Sequence, residues 1–336
     1  MVCLHSMRAE MADINRVSWT IEPPPDLSVI TATTPYRSPE YDRRQYLRES
    51  VWSVLSQQGG LDIEHIVVNN GCDTDEAQAT LEEVAGWSDK VRVVTLGRER
   101  TIGQALNVGF YRSSEGFTGN QERRSPFIWQ IDDDDRMHPR GAERQLAAFD
   151  THVGAAAVFG ATELIDTNGN SGARDPDIDY LNIHYSSDLA DFLCTMWESN
   201  EIINGSICMR RSAVESMVHC YYDEWALEDA TSGIRNWLQK GDISGAEGVM
   251  SELGPWNTKL TSVDWDLWLR LMIEGGYIVR HDETVNSYRI HPGQWSNQCK
   301  QDDTWQRDTE DIRQRLMQRA TDRVRYERYE RAGSVA

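Results

Sequence analysis

Several classes of protein are excluded by what this 336-residue sequence lacks. No run approaches the roughly 18 consecutive apolar residues that a membrane-spanning helix needs. The first stretch, MVCLHSMRAEMADINRVSW, has no apolar segment of the signal-peptide kind, so a cytoplasmic protein is expected. Positive charge is scarce: 34 Lys and Arg face 54 Asp and Glu, a net charge of −20, with arginine far ahead of lysine. A general nucleic-acid binder needs a basic footprint and is excluded on that ground. The six cysteines (Cys3, Cys72, Cys194, Cys208, Cys220 and Cys299) lie far apart with no CxxC pair. They suit neither a zinc site nor a disulfide framework and read as reduced thiols. No internal repeat is present.

What is there reads as one large α/β unit. LSVITAT (27–33) is a β-branched apolar run of strand length, followed by the turn-like TPYRSPE. YLRESVWSVLSQ places Leu47, Val51, Val54 and Leu55 at helical spacing, with QGG as its stop. IEHIVVNNG, KVRVVTLG and PFIWQIDD read as further buried strands. DEAQATLEEVAGW and TIGQALNVGFYRS read as helices, the second opening with a glycine turn. Strands alternating with helices imply a mostly parallel sheet, and strands without polar alternation belong in its doubly covered interior. Ligands of such sheets bind beyond the carboxyl ends of the strands. Beyond residue 200 the pattern loosens. INGSICMRRSA looks like a strand feeding a helix, residues 221–262 have little period, and DWDLWLRLMIEGG is a strong helix ended by Gly275-Gly276. YIVRHDETVNSYRIHPGQWS reads as a short strand pair and a turn. The tail from Thr304 reads as a charged helix with a narrow apolar stripe at Ile312, Leu316, Ala320 and Val324.

The stretch FIWQIDDDDRMHP ends an apolar run in four adjacent carboxylates, Asp132 to Asp135. Like charges at 4 Å repel by about 1 kcal/mol even in bulk water. A solvated turn tolerates that, and so does a site that holds a divalent cation.

The order of LSVITATTP, YLRESVWSVLSQ, HIVVNNGCDTDE, TIGQALNVG, WQIDDDDRMHP, INGSICMRRSA, DWDLWLRL and YRIHPGQWS resembles the family 2 glycosyltransferases with the GT-A fold. The resemblance covers roughly residues 26–300. It implies a Rossmann-like central sheet with helices on both faces, a C-terminal acceptor-side region and a terminal helix. In residue ranges, 1–25 is an N-terminal extension, 26–200 the nucleotide-sugar-binding core, 201–300 the acceptor-side and catalytic-base region, and 301–336 the charged helix. The activity it implies is metal-dependent inverting transfer of a sugar from a nucleotide-diphosphate donor to a hydroxyl of a glycan, glycolipid or protein.

Residue by residue, the resemblance places the metal-binding DxD pair on Asp132 and Asp134, with Asp135 also available and His291 as a further ligand. Mn²⁺ or Mg²⁺ fits, because hard cations take oxygen ligands and substrate phosphates. Asp264 matches the general base, although Val263 stands where the family has the first acid of a pair. Its helix-terminal position also suits a cap. Donor recognition falls to Thr31, Thr33, Tyr36, Asn69, Asn107, Asp132 and Asp133. Asn69-Asn70 stands where uridine-using relatives carry an aspartate, so UDP, GDP and dTDP donors all stay open. Leu106 replaces a family arginine. Arg289 suits either a phosphate contact or an exposed salt bridge. Trp197, Trp225, Trp237, Trp256 and Trp265 are candidates for stacking on sugar, of which one or two are expected to do so. The Gly-free TATTPYRSPE argues against a nucleotidyltransferase, and an acidic cluster after the fourth strand argues against a DxD phosphatase. A rival reading is a non-catalytic GT-A-fold protein that binds nucleotide sugars or serves as a scaffold. In the tail, acidic residues nearly balance arginines, which favours packing on the fold or at a homodimer contact over a peripheral membrane contact.

Overall fold

The computed structural model describes residues 23–35, 42–113, 124–174, 189–198, 200, 202–221, 243–294 and 304–333. Its strands are β1 (Leu27–Thr33), β2 (Ile63–Asn69), β3 (Val91–Thr95), β4 (Phe127–Gln130), β5 (Arg136–Met137), β6 (Ala157–Ile165), β7 (Ile207–Arg210) and β8 (Ile278–Arg289). They form one sheet in the order β3-β2-β1-β4-β7-β6-β8-β5. The half β3-β2-β1-β4 is parallel throughout. Beyond it β7 runs antiparallel to β4 and β6, while β8 is parallel to β6 and antiparallel to β5. The sheet therefore runs continuously past residue 200.

The helices are α1 (Arg44–Leu55), α2 (Asp75–Ala85), α3 (Ile102–Arg112), α4 (Gly141–Thr151), α5 (Leu189–Glu198), α6 (Arg211–Tyr221), α7 (Ile243–Glu252), α8 (Val263–Ile273) and α9 (Thr304–Gly333). Side chains alternate across the strands, so the two faces of the sheet take different partners. Leu27, Val29, Trp129 and Val158 meet α1 and α4. Ile30, Ile128, Ala157 and Met209 meet α3, α5, α6, α8 and α9. Every residue of β2 is buried, as an interior strand covered on both faces requires.

Three local expectations change. Helix α3 begins with a capping box in which Thr101 and Gln104 satisfy each other's backbone N–H groups. Gly103 lies inside the helix, where a Cβ would come within 2.7 Å of the Asn257 carbonyl, so its smallness serves packing and not a turn. Residues 278–289 form a single strand rather than a pair, because β6 offers a nine-residue partner and absorbs the irregularity as register shifts near Ala161. Helix α7 occupies part of the weakly periodic region.

Over residues 304–319 the tail helix α9 is an integral part of the fold. Ile312 and Leu316 are fully buried against α8, and Trp305 stacks on Trp265 at 5.9 Å. Arg315 and Arg270 both bind the buried Asp266 carboxylate. The N-cap of α8, Ser262, makes no side-chain cap bond. Asp308 of α9 caps it from outside, accepting from the Thr261 and Ser262 N–H groups at 2.6 and 2.9 Å. The side chains of Ala320 and Val324 lie outside the described residues.

Candidate active site

The parallel register sets Thr33 and Asn69 at the same level at the carboxyl ends of β1 and β2. β4 stops at Gln130, and the acidic run follows one residue later. The short β5 comes immediately after the run and pairs with Asn286 and Ser287 near the end of β8. That pairing clamps residues 132–135 against residues 289–294, which lie more than 150 positions away. Arg289 secures the clamp. Its backbone N–H donates to Asp135 Oδ1 at 2.9 Å and its Nε to the Asp134 carbonyl at 2.8 Å. Its remaining nitrogens hold Glu49 and the Asp166 and Thr167 carbonyls, and the Tyr46 ring lies 4.4 Å from its guanidinium carbon. With 0% exposure it is neither a phosphate ligand nor a surface ion pair.

The four aspartates have separate surroundings. Asp132 accepts from Asn204 Nδ2 at 3.0 Å. Burial, then the neighbouring Asp134 charge, pushes its carboxyl up to about 7, and Asp264 contributes in the same direction. Asp133 accepts from Thr33 Oγ1 at 2.6 Å and from Arg43 at 3.0 Å. Burial raises it, against the pull of the Arg43 charge. At Asp134, burial acts to raise the carboxyl, but His291, 2.9 Å away, and Arg43, at 3.3 Å, outweigh it and hold it below the usual value. Asp135 is raised well above it by burial and by Asp134 and Asp132.

Among the described residues, Asp132, Asp134 and Asp135 form a group in which each offers one oxygen within 4.8 Å of the others. Asp135 Oδ2 is buried with no hydrogen-bond partner, as a lone pair kept for a cation would be. An all-oxygen donor set with one under-satisfied carboxylate fits Mg²⁺ or Mn²⁺. The third carboxylate is thus Asp135. His291 stands outside this trio and orients Asp134 through its Nε2.

Asp264 lies in the first turn of α8 and accepts from Asn200 Nδ2 at 2.8 Å. Burial raises its carboxyl, opposed by the Trp265 N–H and by Asn200. Its charge reaches Asp132, whose carboxyl it helps to raise.

The expected donor contacts divide. Thr33 and Asp133 meet beside the acidic run, and Tyr36 lies outside the described residues. Thr31, Asn69 and Asn107 lie deeper in the fold. Each is fully buried with its polar group satisfied from within. Thr31 bonds His65 at 2.9 Å inside the sheet. Asn69 closes its own loop through Cys72 N and O. Asn107 binds Ser251 O, Trp256 O and Trp256 N, tying α3 to the last turn of α7 and the chain that follows it. Trp256 and Trp265 are core residues, Trp197 packs against the core, and Trp225 and Trp237 lie outside the described residues. Arg43 is the site residue that sequence reasoning missed. In YDRRQY nothing separates it from Arg44, which turns away to Asp42.

A family model described as glycosyl transferase family 2 matches residues 38–217, more than half of the 336 residues, and the chain belongs to that family. Its α/β architecture is the GT-A one expected from the motif order. Among solved structures it is similar to S. aureus TarS 1-349 in complex with UDP-GlcNAc, at 15% identity and TM-score 0.49, covering 80% of this chain and 60% of that one. It is likewise similar to the mannosyltransferase PcManGT from Pyrobaculum calidifontis in complex with GDP-Man and Mn²⁺, at 14% identity and TM-score 0.49, covering 87% of this chain and 66% of that one. The chain spans less than two thirds of the length of these structures. A search of the curated proteins finds no match. No described helix is long and apolar enough to cross a membrane.

Proposed function

We propose that this chain is a divalent-metal-dependent, inverting glycosyltransferase that moves a sugar from a nucleotide-diphosphate sugar to an acceptor hydroxyl. The observation that carries the reading is the convergence of three carboxylates, Asp132, Asp134 and Asp135, at the end of β4, with the charge of Asp264, on a separate helix, reaching Asp132. The trio would hold Mn²⁺ or Mg²⁺, which when bound neutralises the charge that develops on the diphosphate leaving group.

The chain's own residues divide the rest of the work. Asp264 takes the proton from the acceptor hydroxyl as that oxygen bonds to the anomeric carbon. The bond from that carbon to the diphosphate oxygen breaks on the opposite face, which inverts the centre. Burial makes Asp264 a stronger base than a solvated aspartate, as proton abstraction near neutral pH requires. Asn200 fixes the direction of its carboxylate. Thr33 and Asp133 flank the donor side, and Asn204 holds Asp132 in place. UDP, GDP and dTDP donors and glycan, glycolipid and protein acceptors all fit this scheme.

Calorimetric titration of the whole chain with UDP, GDP and dTDP, with and without Mn²⁺, tests it. Selective, metal-dependent binding of one nucleotide is expected. No binding of any of them to folded protein would transfer the weight to the non-catalytic scaffold.

A further inference from the structure

The acidic run carries more negative charge than a single divalent ion balances, and the fold already sets one cation against it. Arg43, at the N-terminus of α1, donates through NH1 to Asp133 Oδ1 at 3.0 Å and lies 3.3 Å from Asp134 Oδ2. Its NH2 donates to the Gly293 carbonyl at 2.9 Å, in the turn after His291. Its side chain keeps 24% of its exposure, whereas Arg289 nearby has none and is spent on internal acceptors. The Asp134 oxygen that Arg43 approaches is also the one His291 holds, so a trio member already faces a hydrogen-bond partner and a positive charge. Asp133, the one acid of the run outside the trio, is held by Arg43 and Thr33 instead.

We propose that Arg43 is the residue that couples metal to donor: it opposes binding of the metal alone and favours binding of the metal together with a diphosphate. The proposal rests on the reading of the site given above. A guanidinium stays charged across the working pH range, so it cannot step aside by losing a proton. A divalent ion arriving at Asp134 meets that fixed positive charge at close range. An anionic diphosphate arriving with the ion turns the same charge from repulsive to attractive, and its planar fork suits phosphate oxygens. Arg43 therefore weakens the site for the metal alone and strengthens it for the diphosphate that accompanies the metal. Such an arrangement keeps the site from filling with metal when no donor is present.

The test is calorimetric titration of the whole chain and of Arg43→Gln with Mn²⁺ alone, then with UDP and GDP in saturating Mn²⁺. Removal of the charge is expected to tighten Mn²⁺ alone by roughly tenfold and to weaken the nucleotide by roughly tenfold, ordinary sizes for coupling between sites. Arg43→Lys keeps the charge and should leave Mn²⁺ binding near that of the unaltered protein, while losing part of the nucleotide affinity. Arg43→Met removes the same charge with an apolar side chain and takes the place of the glutamine variant should that one fail to fold. An ion pair that only braces the loop would weaken both ligands together on removal, and an Mn²⁺ affinity that is unchanged or lower overturns the proposal. Failure of the underlying reading looks different, since neither the unaltered protein nor Arg43→Gln would bind Mn²⁺, and the coupling role falls with it.

Discussion

The end of β2 and the end of β4 lie on the same edge of one sheet, yet they use their polar side chains in opposite ways. At the end of β2 the chain places Asn69 and Asn70, and each amide is satisfied by backbone. Asn69 closes its own loop, and Asn70 both donates to the Arg100 carbonyl and accepts from the Arg100 N–H, holding the β3–α3 loop. Gly71, at φ +77°, lets that loop approach, since a Cβ there would fall 2.2 Å from Glu99 N. Asn107 plays the same part deeper in the core. After β4 the chain places acids, which only accept when ionised. Too few donors reach them, and Asp135 Oδ2 has none. An amide carries both donor and acceptor, so peptide groups can satisfy it completely, and a closed set of bonds is a brace. A row of carboxylates cannot be closed in that way by peptide groups.

Four measurements break or sharpen this contrast. Asp264→Asn should lower turnover by roughly 100- to 10,000-fold, the usual worth of a general base, while nucleotide affinity stays within about twofold. Steady-state kinetics beside titration separates the two, and an active variant would put the base elsewhere. Asp134→Ala should weaken metal-dependent nucleotide binding on the order of 100-fold, because it removes a trio member and the anchor of His291. Equal affinity with and without the carboxylate would put the acidic run among ordinary solvated turns. Asn107→Ala is the converse case. It should cost about 2–4 kcal/mol of stability, read from the urea midpoint, since buried backbone groups of Ser251 and Trp256 lose their partner. Nucleotide affinity should not change; a loss of affinity at full stability would return Asn107 to the donor site.

The smallest effect concerns His65, buried in β2 beneath Thr31. Burial depresses its ring to about 3, against an ordinary 6.5. Between those values the unfolded chain binds a proton that the folded chain refuses, so stability falls as pH drops below 6.5. This one group contributes about 1.4 kcal/mol per pH unit across that window. His65→Gln should flatten the dependence of the urea midpoint on pH over that range. An unchanged slope would mean that other groups dominate it.

Much of this was legible in the residues. The strand–helix alternation, the acidic run at a strand end and the Trp-rich α8 are short-range patterns, and the motif order pointed to the right family. The internal partners of Thr31, Asn69 and Asn107 were not legible, because a polar residue near a strand end looks the same whether it faces a ligand or a neighbouring backbone. The strand at residues 278–289 reads as two in the sequence for a related reason. Its polar stretch, HDETVNS, resembles a turn until β6 is alongside to pair with it.

The sequence by itself determined the elements, the edge on which the chemistry lies and the carboxylates that crowd it. Those follow from periodicity, turn residues and charge within a few positions. Only the tertiary structure decided which groups were free. Asp134 and His291 meet across 157 positions, Arg43 and Asp133 across 90, and Asp308 caps α8 from 46 residues beyond Ser262. Whether a polar atom is a brace or a ligand depends on which donors and acceptors the rest of the chain brings within 3 Å of it. That distance is set by the folded sheet and not by spacing along the chain.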